Sequence, residues 1–487
     1  MKVETTDYSI HFETLGCRLN QIESESAAHF FSEVGFRVDM DSILASGKDR
    51  NDVFLCVINT CTVTSKAEQK ARRLIRLLLK KCPNAAILVT GCYAELDATD
   101  ICAIDKRVCV IKGSRKDILA DLPQPLMHFL TDNSKNYNSG ENIARFLETI
   151  TLSKLQVFTE SATASFRLST DTFLIHSRAS IKIQDGCSNS CSYCRIHLAR
   201  GKSVSLNAES VLERVQLLEK KGQNEVVLTG VNLSQYHGKW KNSFVDLVGL
   251  LEILLENTEH IYFRLSSLYP ERINEDFCRV IKNPRIQPHF HLSVQSGSNK
   301  ILSSMKRPYQ VQNVLDAVKR LREAKDNPFI ACDLIAGFPG ETDEDFEQTM
   351  DLCYKAKFAW VHAFPFSPRP GTVAYSMKPV VPQAVATQRV KKLSEFAIQS
   401  KYDYISLWSG KILFAITESN RSDRALSVKD SLPKSKTHAV TSNFLHVELP
   451  CSIPQGKLIK VRLGKPLLEH IQRGDEIEAI AELVLDS

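Results

Sequence analysis

The chain has 487 residues, of which 43% are hydrophobic and 24% are charged, with 14 cysteines and a net charge of +6. Its first residues lack the apolar core of a signal peptide, so this cysteine content argues for thiolate chemistry and against a secreted disulfide framework. No apolar run approaches the ~20 residues that span a bilayer. We expect a cytoplasmic protein of several domains with no membrane partner, and the mild positive charge permits an RNA partner.

The N-terminal region, residues 1–125, is predicted to be a doubly wound α/β domain in which a cysteine follows each of three strands. Strands at 9–14, 53–58 and 85–89 precede Cys17, Cys61 and Cys92, respectively. The carboxyl ends of strands in an open α/β sheet share one crevice where ligands bind. We therefore expect these cysteines to converge on one metal site. Free cysteines are also often buried as small hydrophobes, which is the role expected for Cys56 and Cys82.

A helix predicted over residues 62–81 carries many cations. Lys66, Lys70 and Arg73 share one face, and Arg72, Arg76 and Lys80 run beside them. Such a face is either simply solvated or a contact for an RNA partner.

The next region, 126–175, has weaker patterning and includes a connection at 132–140 that we expect to be exposed. We interpret it as an interdomain linker.

Three more cysteines, Cys187, Cys191 and Cys194, stand in the sequence CSNSCSYC directly after a predicted strand. Three thiolates fill three of the four iron corners of one cube, whereas ordinary ferredoxin clusters use four. A zinc site is the alternative, and it would need a fourth ligand, for which His197 is the only local candidate. The spacing resembles the signature of radical S-adenosylmethionine (SAM) enzymes. That resemblance implies a [4Fe-4S] cluster whose open iron binds SAM and whose electron cleaves it to a radical.

From residue 176 to 408, strand-like runs recur between amphipathic helical segments, and distinctive residues stand at the strand ends. These runs lie at 184–187, 227–232, 264–267, 291–298, 333–341 and 364–372. Alternating βα units with chemistry at the carboxyl ends predict a central open TIM-like barrel of about six units, (β/α)6. Its openness would admit a macromolecular substrate.

Residues 409–487 contain short alternating runs separated by turns, which predict a small C-terminal β-barrel of OB-like size. The region, with a partial match at 440–444, resembles the TRAM domain, an RNA-binding barrel. Its cations are candidates for phosphate contacts: Lys411, Arg421, Arg424, Lys429, Lys434 and Lys436.

Three N-terminal motifs resemble those of the radical SAM methylthiotransferase family, in the right order. They are TLGCRLNQ at 14–21, NTCTVT at 59–64 and TGCYAE at 90–95. The resemblance implies a second [4Fe-4S] cluster on Cys17, Cys61 and Cys92, which delivers sulfur through its open iron. One SAM then methylates that sulfur and another generates the radical. An external electron donor and a sulfur donor are also implied.

The same resemblance implies which residues contact SAM. They are Thr229, Gly230 and Asn232 for the amino group and methionine moiety, Tyr193 and Gly337 for the adenine, and Ser267, Gln295 and Ser296 for the ribose and carboxylate. Ordinary turn or cap duty is the alternative for the polar members of this set. In one departure from the family, the chain lacks the proline that many members carry before the pair Arg200 and Gly201.

The segments at 16–24, 62–64 and 184–185 resemble the subgroup that acts on threonylcarbamoyladenosine. This similarity implies methylthiolation at C2 of N6-threonylcarbamoyladenosine at tRNA position 37, with the anticodon stem-loop as partner. Residue chemistry alone leaves open the related substrates isopentenyladenosine-37 of tRNA and a ribosomal-protein aspartate. From another class, a non-catalytic metal-binding RNA-binding protein is the alternative.

Overall fold

The computed structural model describes residues 8–132, 139–155, 164–169, 178–418 and 436–485. By their contacts these residues form two compact units. Unit 1 contains the described residues up to 169 together with Lys182–Asn189 and Cys194–Leu206, and unit 2 contains the others. Within these ranges, no helix has both the length and the apolar character that crossing a membrane requires.

Unit 1 begins with five strands and six helices. The strands are β1 (Ser9–Thr14), β2 (Arg37–Asp39), β3 (Val53–Thr60), β4 (Ala86–Gly91) and β5 (Val108–Val110). The helices are α1 (Arg18–Glu33), α2 (Ser65–Lys81), α3 (Cys92–Leu96), α4 (Ala98–Cys102), α5 (Pro123–Asp132) and α6 (Gly140–Leu155). The strands form one parallel sheet in the order β2-β1-β3-β4-β5.

Both faces of this sheet are covered because successive side chains of a strand point to opposite sides. Leu55 and Val57 of β3 belong to the core formed with α1, α5 and α6. Cys56 and Ile58 belong to the core formed with α2 on the other face, which also takes in Cys82. The doubly wound α/β prediction is therefore confirmed, and Cys56 and Cys82 are buried as expected.

Part of the expected linker is folded. Helix α5 (Pro123–Asp132) and helix α6 (Gly140–Leu155) both pack on the sheet of unit 1. Leu126, Ile143 and Leu147 are each at most 1% exposed in that core. Interpreting 126–175 as a linker was wrong for these helices, because they carry fewer charged residues than α2 and the sequence therefore marks their solvent-facing side less clearly. The expected exposed connection at 132–140 lies mostly outside the described residues.

The chain from 179 to 408 supplies ten strands and eight helices. The strands are β6 (Ala179–Lys182), β7 (Gln184–Asp185), β8 (Val204–Ser205), β9 (Glu225–Thr229), β10 (Gly238–Trp240), β11 (Ser243–Val245), β12 (Tyr262–Leu265), β13 (His289–Gln295), β14 (Phe329–Ala336) and β15 (Trp360–Pro365). The helices are α7 (Ile196–Arg200), α8 (Ala208–Lys220), α9 (Leu247–Glu256), α10 (Glu275–Ile281), α11 (Asn299–Ser304), α12 (Val311–Ala324), α13 (Asp343–Ala356) and α14 (Gln383–Trp408).

Six of these strands form the central sheet of unit 2. They lie in two parallel groups, β12-β9-β6 and β13-β14-β15, and a parallel bridge between Leu268 and Leu292 joins the groups. No pairing joins β6 to β15 in the described part of the chain. The prediction of an open, six-unit TIM-like barrel is confirmed.

The last strands close into a small barrel. They are β16 (Ile412–Glu418), β17 (Thr437–Thr441), β18 (His446–Leu449), β19 (Leu458–Pro466) and β20 (Ala479–Leu483), with α15 (Leu468–Arg473) before β20. Their order around the barrel is β16-β17-β18-β20-β19, which confirms the C-terminal β-barrel. The candidate phosphate contacts Arg421, Arg424, Lys429 and Lys434 lie outside the described residues.

Candidate metal centres

Cys17, Cys61 and Cys92 lie at the carboxyl ends of three neighbouring strands of unit 1. Cys17 stands between β1 and α1 as the residue directly before α1, Cys61 follows β3 directly, and Cys92 is the first residue of α3 after β4. In the strand order 2-1-3-4-5 the chain reverses direction across the sheet between β1 and β3, which is where doubly wound proteins bind ligands. The fold thus brings together cysteines that are far apart in sequence.

Two glycines allow this close approach. Gly16 has φ +104°, and a Cβ atom there would lie 2.5 Å from the Cβ of Cys61. Gly91 has φ +96°, and a Cβ atom there would lie 2.4 Å from the backbone oxygen of Thr60. At both positions the positive φ disfavours any residue with a side chain, and an added Cβ atom would also clash. This explains why a glycine precedes the cysteine in the first and third motifs.

The three sulfur atoms fit an iron–sulfur cluster better than a single zinc ion. Burial raises the pKa of the Cys61 thiol to about 11, and the neighbouring Cys17 and Cys92 add to the shift. Among the described residues, only Glu418, His446 and Glu476 place three ligand atoms within 4.8 Å of one another. Two zinc-bound sulfurs lie at most about 4.6 Å apart, since each Zn–S bond is about 2.3 Å. At least one pair of these sulfurs is therefore too far apart to share one zinc ion, and thiolates are the usual ligands of iron–sulfur clusters.

A buried arginine stands beside this triad. The Arg200 side chain, at the end of α7, is 4% exposed. Its Nε donates a hydrogen bond to the Cys92 sulfur at 3.3 Å. Its terminal nitrogens donate to Asp185 Oδ1 at 2.8 Å, to Asn20 Oδ1 at 2.7 Å and to both carboxylate oxygens of Glu23. Arg200 was noted in the sequence only as part of an Arg-Gly match, because its partners are distant along the chain.

The second cysteine group occupies the loop at 187–194, and the residues of this loop divide between the two units. In unit 1, the Cys187 amide donates to the carbonyl of Gly201 at 3.0 Å, and the Cys194 sulfur accepts from the amide of Ile196 at 3.4 Å. In unit 2, Cys191 is 6% exposed. All 14 cysteines of the chain are free thiols, as thiolate chemistry requires.

Cys191 also has a buried arginine partner, which the sequence interpretation missed. Arg307 is 8% exposed and donates from Nη1 to the Cys191 sulfur at 3.2 Å. The rings of Tyr269 and Tyr309 lie 4.2 and 4.9 Å from its guanidinium carbon, and both hydroxyls accept its hydrogen bonds. Arg307 stands in a turn after α11, where the local sequence gives no signal of a partner 116 residues away.

Four of the residues expected to contact SAM lie at or just beyond the ends of two central strands. Thr229 is the last residue of β9, Gly230 follows it, and the Gly230 amide donates to Ser266 Oγ at 3.4 Å. Gln295 is the last residue of β13 and has φ +72°. The side chain of Asn232 accepts from the amide of Ser234, so it caps a short 3₁₀-helix.

The other four have protein partners of their own. The Tyr193 ring packs edge-on against Phe338 with centroids 6.5 Å apart. Ser267 Oγ lies 2.6 Å from His291 Nδ1, and the Gly337 amide donates to Glu341 Oε2 at 2.6 Å. Ser296 Oγ accepts from the amide of Ser298 at 3.2 Å. Asn232 and Ser296 therefore do have the cap and turn roles that the sequence analysis gave as the alternative to SAM binding.

Comparison with known proteins identifies the family. Residues 181–353 match the Radical SAM superfamily, and residues 9–113 match the Uncharacterized protein family UPF0004. Threonylcarbamoyladenosine tRNA methylthiotransferase MtaB of Treponema pallidum is 43% identical over 84% of this chain and 91% of its own length. MtaB of Bacillus subtilis is 32% identical over 94% of both chains.

A relative with another substrate is more distant. The tRNA-2-methylthio-N(6)-dimethylallyladenosine synthase of Anaplasma marginale is 30% identical over 85% of this chain and 86% of its own length. The two relatives named for threonylcarbamoyladenosine, at 43% and 32%, are thus more similar to this chain than the dimethylallyladenosine synthase at 30%. The chain belongs to the family of radical SAM threonylcarbamoyladenosine tRNA methylthiotransferases.

Proposed function

We propose that the chain methylthiolates C2 of N6-threonylcarbamoyladenosine at position 37 of tRNA, giving 2-methylthio-N6-threonylcarbamoyladenosine. The observation that carries this proposal is the convergence of Cys17, Cys61 and Cys92 at the strand ends of unit 1, in a chain that also has a radical SAM cysteine loop. A simple radical SAM enzyme needs one cysteine triad, whereas insertion of sulfur needs a second place to hold it. The substrate is supported by the names of three relatives that match more than four fifths of the chain.

The proposed roles of the residues follow from their positions. Cys187, Cys191 and Cys194 hold the cluster that binds SAM, and Cys17, Cys61 and Cys92 hold the auxiliary cluster. When bound, these two [4Fe-4S] clusters and SAM supply the radical and the sulfur. Arg307 fixes the sulfur of Cys191 through a charge-assisted hydrogen bond. The SAM contacts are assigned to Tyr193, Thr229, Gly230, Asn232, Ser267, Gln295, Ser296 and Gly337.

The proposed domains are an auxiliary-cluster domain at 1–125, a radical SAM core at 176–408 and a TRAM-like RNA-binding barrel at 409–487. The segment between the first two, 126–175, contributes most of α5 and all of α6 to unit 1, with apolar residues of both helices in its core, rather than serving only as a linker. The anticodon stem-loop is the proposed RNA partner. The reaction also requires an external electron donor and a sulfur donor, and we assign it to the cytoplasm.

Nucleoside mass spectrometry on tRNA from cells that lack the gene tests the substrate. We expect 2-methylthio-N6-threonylcarbamoyladenosine to disappear and its precursor without the methylthio group to accumulate. Loss of a methylthiolated isopentenyladenosine instead would reassign the substrate. An unchanged tRNA profile would contradict a tRNA substrate and point to the ribosomal-protein aspartate.

Two cysteine variants test the division of labour between the clusters. Cys191→Ala is expected to abolish SAM cleavage, because it removes a ligand of the SAM-binding cluster. Cys61→Ala is expected to spare SAM cleavage and stop formation of the methylthio product. Product formation by Cys61→Ala would contradict the sulfur-delivery role of the N-terminal cysteines. Iron and sulfide analysis is the control: about eight irons per chain fit two cubes, whereas zinc without sulfide would indicate a non-catalytic metal protein.

A further inference from the structure

Arg200 lies in a buried network of charges in unit 1. Lys182 donates to Glu23 at 2.9 Å and to Asp185 at 3.0 Å, and Lys116 donates to Glu23 at 2.5 Å. The side chains of these five charged residues are each at most 9% exposed. Three cations thus face two carboxylates, which leaves one buried positive charge in excess. An excess of buried positive charge is costly unless a further negative group lies close to it.

The group that this network approaches is the Cys92 sulfur. Cysteine binds metal as the thiolate, so a metal-bound Cys92 places negative charge 3.3 Å from Nε of Arg200. Arg200 is also held in a fixed orientation, because its two terminal nitrogens are taken by Asp185, Glu23 and Asn20. A guanidinium anchored in this way keeps its Nε–H directed at the sulfur.

We infer that Arg200 is a positioning residue of the auxiliary cluster, where its Nε–H···S hydrogen bond to Cys92 raises the reduction potential of the cluster. Hydrogen bonds to the sulfurs and local net charge are among the main determinants of iron–sulfur potentials. A donor and a positive charge next to a thiolate stabilise the added electron. The inference rests on the proposed ligation by Cys17, Cys61 and Cys92.

Arg200 also belongs to the segment that follows the radical SAM loop. Helix α7 begins at Ile196, two residues after Cys194, and ends at Arg200. At the start of this segment, Arg195 pairs with Glu68 of α2 at 3.2 Å. One end of the segment is therefore tied by an ion pair to α2, which begins four residues after Cys61, and the other to Glu23 of α1, which begins directly after Cys17. The chain that leaves one proposed cluster thus contacts a ligand of the other through the Arg200–Cys92 hydrogen bond.

The test uses the full-length chain with Cys187, Cys191 and Cys194 all replaced by alanine, so that only the auxiliary cluster is reconstituted. In this background the midpoint potential is measured by a redox titration followed by electron paramagnetic resonance. Arg200→Met is expected to shift the midpoint to a more negative value with iron content unchanged. Each carboxylate keeps a lysine partner in this variant, since Lys182 contacts both Glu23 and Asp185, so the fold is expected to persist.

Lys116→Met is the matched control, because it removes a cation from the same network that pairs with Glu23 rather than with a cysteine. It is expected to shift the potential much less than Arg200→Met. Equal potentials for parent and Arg200→Met, or equal shifts for the two variants, would overturn the inference. A parent protein without iron would instead overturn the proposed ligation by the three cysteines, so the two failures are distinguishable.

A measurement on the parent protein does not depend on the variant's folding. With ¹⁵N-labelled arginine, electron–nuclear double resonance on the reduced auxiliary cluster is expected to show a weakly coupled nitrogen. Lys116→Met should keep this coupling. If the iron-loaded parent protein showed no such nitrogen coupling, the inference would also be overturned.

Discussion

At the scale of single residues, buried charges make the stability of unit 1 depend on pH. His11 of β1 is fully buried, with Nε2 3.3 Å from Glu13 and Nδ1 3.7 Å from Asp39. Burial opposes its charge, but the nearby carboxylates of Asp39 and Glu13, the second of them hydrogen-bonded to Nε2, outweigh burial and raise the pKa of His11 to about 9. A histidine whose pKa is higher in the folded than in the unfolded state stabilises the fold while it stays protonated.

We therefore expect the free energy of unfolding to fall as pH rises from about 6.5, the pKa of an unfolded histidine, through about 9. The loss above that range should be on the order of 3 kcal/mol, because each unit of pKa shift corresponds to about 1.4 kcal/mol. Denaturant unfolding at a series of pH values measures it. His11→Gln should remove the slope, whereas His128→Gln, at a side chain 78% exposed, should keep it. A parent protein equally stable at pH 6 and pH 10 would contradict the assignment.

The cysteines and the arginines beside them show how far a sequence predicts a site. Cys17, Cys61 and Cys92 are predictable because each follows a strand, and parallel strands end at one edge of the sheet. Arg200 and Arg307 are not predictable in this way. Their sulfur partners lie 108 and 116 residues away, and an arginine in a short helix or turn is usually a surface residue.

At the scale of elements, the same contrast separates α2 from α5 and α6. The regular apolar spacing of α2 predicts an amphipathic helix, and the structure has it at Ser65–Lys81 with Ala71, Ile75 and Leu78 buried. Helices α5 and α6 contain fewer charged residues than α2, so the sequence marks their solvent-facing side less clearly. Their helical state follows from packing on a sheet that is distant in sequence, which overrides weak local signals.

Helix α2 provides a test of RNA binding. It begins four residues after Cys61, and Lys66, Lys70 and Arg73 are exposed on one face. Replacing all three by alanine is expected to weaken tRNA binding. The slope of log K (the association constant) against log salt concentration should also become shallower, by about 0.7–0.9 for each phosphate that is no longer neutralised. Filter binding at several salt concentrations measures both. Lys391→Ala, at an exposed lysine on α14, is the control. An unchanged salt slope in the triple variant would show that this face is only solvated.

At the scale of the whole molecule, the four regions predicted from sequence fold as two units. The reason lies in shared cores that composition does not reveal. Phe329 and Ala331 of β14 and Trp408 of α14 pack in one cluster with Leu413 and Ala415 of the C-terminal barrel. The barrel of unit 2 is therefore not an independent module on a tether, although its strand pattern and size predicted its fold correctly.

Phe444 joins the barrel to the central sheet of unit 2. Its ring centroid lies 4.1 Å from that of His289 and 6.2 Å from that of Phe329, and the guanidinium carbons of Arg178 and Arg264 lie 5.5 and 5.2 Å from the ring. Phe444→Ala is expected to cost about 3 kcal/mol, the lower end for loss of a core phenylalanine, because the ring is half-buried.

The way in which Phe444→Ala unfolds should show whether the barrel and the central sheet form one cooperative body. If the ring links them, the parent unfolds unit 2 in one thermal transition, and the variant separates a lower transition of the barrel from that of the central sheet. Calorimetry measures the number of transitions and the temperature of each. Phe414→Ala removes a ring from the same barrel that is 45% exposed, so it should leave a single transition close to that of the parent. Identical melting of the two variants would mean that the shared core, rather than Phe444, holds the barrel in place.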